Sequence, residues 1–124
     1  MFVGDNMFLV DRMAHADRTY HVGEIELPPA FLVQHFGAHD GGDGLRSTGS
    51  WTFVNEIGNV FTLYEYMQTR TSLGRSSGAP LAAHFWSQWD PATFNIGGRE
   101  NSDAATFKQR LKAEYGAFRE SHLA

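Results

Sequence analysis

The chain has 124 residues, 42% hydrophobic and 14% aromatic, with ten Phe and three Trp; this is enough apolar surface for one folded core and too little length for two. A formal net charge of −4 provides no general positive field to draw the chain to duplex nucleic acid or an anionic membrane. The absence of cysteine excludes disulfides, thiolate zinc sites and cysteine nucleophiles.

The amino-terminal stretch MFVGDNMFLVDRMAHAD carries Asp5 and Asp11 and lacks a basic region before an unbroken apolar run, so it does not read as a signal peptide. From Asn6 to Ala16, the spacing of Met7, Phe8, Val10, Met13 and Ala14 predicts a short amphipathic helix or arm within residues 1–17. Phe2, Phe8 and Met13 on that arm are expected to pack against a second subunit. Next, TYHVGEIEL alternates as a strand with an irregularity at Gly23, closed by Pro28 and Pro29. A helix starting at those prolines should run through Phe31, Leu32 and Phe36, and Gly37 should end it in a left-handed turn.

Ala38–Ser50 is rich in Gly, Ser and Asp and reads as an exposed loop. A hairpin follows, with one strand from Trp51 to about Val54, a turn at Gly58 and Asn59, and a second strand from Val60 to about Met67. Phe61, Leu63 and Glu65 alternate with Val60, Thr62, Tyr64 and Tyr66, so both faces of that strand should be at least partly covered. Arg70–Pro80 reads as a loop, PLAAHFWSQW as a short helix and ATFNI as a strand. Gly97 and Gly98 should turn the chain into a final helix from Ser102 to about Ser121, capped by Ser102 or Asp103, with Phe107, Leu111, Tyr115 and Phe118 on one face. The sum is a single α+β domain over 1–124: a small, mainly antiparallel sheet packed by a carboxy-terminal amphipathic helix, with one face or edge left uncovered.

Four groups of residues carry candidate chemistry. A strand ending in Gly97-Gly98 ahead of a helix aims backbone N–H groups and the positive helix end at an anion, with Arg99 supplying charge. The spacing is neither a dinucleotide fingerprint nor a Walker loop, and two glycines in a tight turn give the same pattern without a ligand. Trp51, Tyr64 and Tyr66 on the hairpin, with Arg46, Arg70 and Arg75 on flanking loops, are the types that stack on a base and pair with phosphates. Core packing or a subunit interface uses the same types. His35, His39, Asp40 and Asp43 have metal-ligand chemistry, but Gly37 should end the helix between the two histidines and separate them. Glu56 and Glu65 are acid–base candidates with no spacing that singles them out.

The motifs GDGLRSTGSWTFVNEIGNVFTLYEY and FWSQWDPATFNIGGREN resemble a poorly characterised group of small phage- and prophage-type proteins. That group's pattern has a Gly-rich loop, a Trp-x-Phe strand, a Gly-x-Val-Phe-Thr-Leu-Tyr strand and an Ile-Gly-Gly ending before the last helix. Trp51, Phe53, Gly58, Val60, Phe61, Tyr64, Ile96, Gly97 and Gly98 match it, over about residues 36–111. The group often has a lysine where this chain has Met67, a departure that removes one cation. The resemblance implies a viral setting and the host cytosol as location; it implies no reaction.

The expectation from sequence is therefore a non-enzymatic, oligomeric, cytoplasmic phage-type binding protein without a cofactor. It sequesters a small anionic, nucleotide-like ligand such as an immune signal, through Arg46, Trp51, Tyr64, Tyr66, Arg70, Arg75, Gly97, Gly98 and Arg99. No membrane or duplex nucleic acid is expected as partner. The alternatives are a protein–protein inhibitor of a host defence effector and a small metal-dependent hydrolase or nuclease built on His39, Asp40 and Asp43.

Overall fold

The computed structural model describes residues 8–10, 20–40, 46–55, 59–99 and 104–123. Five strands form one antiparallel sheet: β1 (Phe8–Val10), β2 (Tyr20–Leu27), β3 (Ser50–Asn55), β4 (Val60–Tyr64) and β5 (Ala92–Gly98), in the order β1-β3-β4-β5-β2. The helices are α1 (Pro29–Phe36), α2 (Arg70–Leu73), α3 (Ala82–Ser87) and α4 (Ala104–Leu123), with a 3-10 turn at Arg75–Ser77. The class is α+β, with the carboxy-terminal helix packed on the sheet, as the periodicities predict.

Alternation decides which face is the core. Trp51 pairs with Leu63, Phe53 with Phe61, Leu63 with Ile96, and Phe94 with Ile25. All of these are buried and share one cluster with Phe31 and Leu32 of α1, Phe85 and Trp86 of α3, and Phe107 and Leu111 of α4. Phe107 stacks on Phe61, with ring centroids 4.6 Å apart and planes 5° apart. Farther along α4, Tyr115 and Phe118 are partly buried against the same cluster. On the opposite face of β4, Val60 and Thr62 are also buried, so both faces of this strand are covered, as its composition predicts.

The helix α1 begins at paired prolines because a missing N–H costs nothing in the first turn. It ends where Gly37 donates its N–H to Val33 O at 3.0 Å. Gly37 has φ 88° and ψ −171°, which is an extended mirror-image conformation open essentially to glycine instead of the expected left-handed turn. Gly23 marks a real irregularity, since the register of β2 against β5 shifts between His21 and Gly23. Asn55 and Asn59 close the β3–β4 hairpin through Asn55 N–H to Asn59 O and Asn59 N–H to Asn55 Oδ1.

Five further local expectations are corrected. The helix placed over Asn6–Ala16 contains a strand, β1, whose ladder to β3 outweighs the local amphipathic spacing; Phe2 and Met13 lie outside the described residues. The second hairpin strand stops at Tyr64 instead of near Met67, which has φ 55°, incompatible with extended chain. Arg70–Pro80 contains helical turns. The Ala38–Ser50 stretch is not uniformly exposed: Ser47 and Gly49 are buried, and Asp40 bridges to Ser50. Most consequential, Gly97 and Gly98 are strand residues. They pair with His21 and Tyr20 of β2 on one side and with Thr62 and Phe61 of β4 on the other. The proposed caps Ser102 and Asp103 lie outside the described residues.

Gly116 sits exposed inside α4, and a Cβ added there meets nothing within 4 Å. Gly116→Ala is expected to raise unfolding free energy by about 0.5–1 kcal/mol, measured by urea denaturation, because it removes backbone entropy from the unfolded chain at no steric cost. Phe107→Ala is expected to lower it by about 3–5 kcal/mol, the usual cost of emptying a fully buried aromatic position.

Candidate functional site

The residues expected to hold a ligand do not converge. Trp51 is 1% exposed, has its indole edge-on to Trp86 at 5.4 Å, and donates Nε1–H to Gly37 O at 3.3 Å. It is a core residue. Tyr64 is half-buried on the opposite face of the sheet, paired with Ser50 and Asn95. Gly97 and Gly98 are buried within the ladder, with half-buried Arg99 just beyond them. Gly98 pairs with Phe61 at the start of β4, whereas Tyr66 and Arg70 follow its end. Three residues of strand from Phe61 to Tyr64 already separate these positions by about 10 Å.

Arg46, Tyr66, Arg70 and Arg75 do gather at one end of the sheet. Met67 N–H donates to Arg46 O at 2.6 Å, Arg70 N–H to Pro80 O at 2.7 Å, and Gly74 N–H to Arg70 O at 2.9 Å. Glu65, fully buried, organises that end. Its Oε1 accepts Thr48 N–H at 2.6 Å and Thr48 Oγ1–H at 2.9 Å, and its Oε2 accepts Gln68 N–H at 3.1 Å. Thr48 Oγ1 in turn accepts Trp86 Nε1–H at 3.0 Å, and Gln68 Nε2–H donates to Thr93 O at 2.6 Å. One chain of hydrogen bonds thus ties α3, the segment before β3, the end of β4 and the start of β5. With its oxygens engaged this way, Glu65 holds structure and is not exposed to a substrate. Glu56 lies outside the described residues.

The metal candidates are also used otherwise. His39 packs its ring against Trp86 at 4.3 Å and donates Nδ1–H to Asp40 O at 3.0 Å. Gly49 makes room for this packing, because a Cβ there falls 2.5 Å from His39 and 2.6 Å from Trp86. His35 instead faces α4, its Nε2–H donating to Glu114 Oε2 at 3.2 Å. Asp43 lies outside the described residues, and among the described residues no three His, Asp or Glu side chains group as ligands.

A different site emerges between α1, α4 and the segment joining α3 to β5. Trp89, 52% exposed, lies parallel to Phe118, with centroids 6.0 Å and planes 19° apart. Phe118 stacks on His122 at 4.0 Å, and the Arg119 guanidinium sits 5.7 Å from the Tyr115 ring centre. These side chains and Gln34 line a hollow of about 320 Å³. A second hollow of about 410 Å³ shares Gln34, Phe118 and His122 with the first and is bounded by the His35–Glu114 pair. His122 Nδ1–H donates to Phe118 O at 2.8 Å, which orients the imidazole and leaves Nε2 without a partner among the described residues. An apolar floor with a few polar groups at its rim is the usual make-up of a small-molecule site.

Sequence reasoning placed Tyr115 and Phe118 on the core-facing stripe and missed this hollow. The spacing of Tyr115, Phe118, Arg119 and His122 already puts all four on neighbouring positions of one helix face. Nothing local marks Trp89, whose place depends on how β5 approaches the sheet. No protein-family model matches the chain, and no curated protein matches it as a relative.

Glu65→Ala is expected to cost about 3 kcal/mol in a denaturant titration, since it leaves two half-buried N–H groups and a hydroxyl without an acceptor. Glu65→Gln keeps one acceptor oxygen but sets an amide NH2 against Gln68 N–H, and should cost about half as much. Equal stability of all three proteins would remove Glu65 as the organising group.

Proposed function

We propose that the protein is a non-enzymatic binding protein whose ligand is small, planar and anionic, of the nucleotide class, and that the ligand's ring occupies the hollow beside Trp89. The observation that carries this reading is the exposed Trp89 ring beside Phe118 and Tyr115, with Arg119, His122 and Gln34 at the rim. A purine or similar ring stacks on such walls with about 1–3 kcal/mol per base. Gln34 offers both a donor and an acceptor to a base edge.

Arg119 would take the anionic group. The hollow lies near the carboxy-terminal end of α4, where the helix dipole opposes a negative charge by about 0.3–1 kcal/mol. A charge-assisted hydrogen bond from a guanidinium contributes about 1.5–3 kcal/mol and exceeds that opposition. The chemistry asked of the site is retention, with no general acid, base or nucleophile assigned to the ligand. In the phage setting that the motif resemblance implies, retention would keep a host signal nucleotide out of circulation. Compared with the sequence expectation, the ligand class is kept and the residues assigned to it change.

The test is a thermal-shift and tryptophan-fluorescence titration with cyclic nucleotides, nucleoside phosphates and ADP-ribose. Trp51 and Trp86 are buried, so quenching by a bound ring reports chiefly on Trp89. A true ligand at 100 times its Kd adds about 2.7 kcal/mol of stability. Trp89→Ala and Arg119→Ala should each weaken binding by about fivefold or more, and Trp89→Phe should abolish the quenching while keeping the thermal shift. No shift with any member of the panel would defeat this assignment.

A further inference from the structure

From Tyr66 to Trp89 the chain has no Asp or Glu, although it carries 14 acidic residues and a net charge of −4. Within this stretch Tyr66, Met67, Leu73 and Leu81 are 45, 38, 44 and 57% exposed. Arg70 and Arg75 are exposed beside them, and neither has a carboxylate partner among the described residues. The Arg70 N–H to Pro80 O bond brings Leu81 next to α2, and the Met67 N–H to Arg46 O bond ties the same region to the segment before β3.

The segment is held in a conformation that local preferences disfavour. Met67 is the one non-glycine residue with positive φ among the described residues. Two residues on, Thr69 is fully buried with its Oγ1 lacking a hydrogen-bond partner. Such features persist only where the surroundings over-determine them, and they concentrate at binding surfaces. Here the surroundings are Glu65, which holds Gln68 N–H.

We infer that the Tyr66–Leu81 segment docks an acidic protein partner, whose apolar anchor lies over Met67, Leu73 and Leu81 while its carboxylates pair with Arg70 and Arg75. Methionine and leucine adapt to an incoming side chain, and arginine pairs with carboxylates bidentately. A second copy of this chain fits less well, because a two-fold contact sets Arg70 and Arg75 against a like-charged patch. Single-stranded nucleic acid also fits less well: Tyr66 is the only aromatic residue from 66 to 81, whereas strand binding needs rings for successive bases.

The test is fluorescence anisotropy with a labelled peptide that carries a Leu-Phe pair flanked on both sides by Asp and Glu. Its Asn/Gln counterpart and a short labelled oligothymidylate serve as comparisons. The acidic peptide should bind at least about fivefold more tightly than the neutral one and weaken with added salt. Arg70→Gln/Arg75→Gln and, separately, Leu81→Ser should each reduce that affinity about fivefold while leaving Tm unchanged, since all three residues are exposed. The inference is overturned by failure of the acidic peptide to bind, by equal binding of the neutral peptide, or by tighter binding of the oligothymidylate. Sedimentation that shows a dimer broken by Leu81→Ser would also overturn it and assign the surface to self-association.

Discussion

The strand β5 is the constraint on which the rest of the sheet depends. Among the described residues it lies between β4 and β2, so β2 joins the sheet through it. Its seven residues come after the hairpin, α2 and α3 in sequence, so pairing them with β2 and β4 closes long-range contacts. Loop-closure entropy opposes such contacts, and the burial they bring must offset it. Phe94 and Ile96 place the apolar side of β5 in the core, and the two glycines at its end continue the ladder.

Glu65 complements this at the other end of β4. A fully buried carboxyl group without its three donors would be strongly destabilising, and with them it locks the segment before β3 to the end of β4. The positive-φ Met67 and the exposed Arg70 and Arg75 come next in the chain after Glu65. The aromatic hollow beside Trp89 lies elsewhere, on α1 and α4, where aromatic packing and the His122 to Phe118 O bond hold the walls. Two chemically different surfaces therefore rest on one core: a stacked-ring surface and a cationic, apolar one. Among the described residues no helix is long and apolar enough to cross a membrane.

Much of the fold was legible because its elements have strong periods. The four-four-three spacing of Phe107, Leu111, Tyr115 and Phe118 names the core face of α4, and the alternation in VFTLY names β4. The paired prolines mark the start of α1. The amino-terminal segment misled because Phe8 and Val10 fit a helical spacing with Met7, Met13 and Ala14 and also the alternation of an edge strand, and the choice is made by the partner strand β3. Gly97-Gly98 misled for the same reason, since glycines compatible with a turn are equally compatible with a strand flanked on both sides. The site was less legible still. Trp51 has the composition of a stacking residue, but its pairing with Leu63 directs it into the core.

By itself the sequence determined the class of the fold, the identity of the principal apolar faces, the glycine irregularity in β2 and the absence of thiol chemistry. These follow from local period and composition, which act over a few residues. Only the tertiary structure decided the strand order, the burial of Glu65, the division of the expected ligand residues between two ends of the sheet, and the meeting of Trp89 with Phe118 and His122. Those depend on contacts between segments far apart in the chain. Local patterns show which face of an element is apolar, but the partner for that face is chosen by the packing of the whole core.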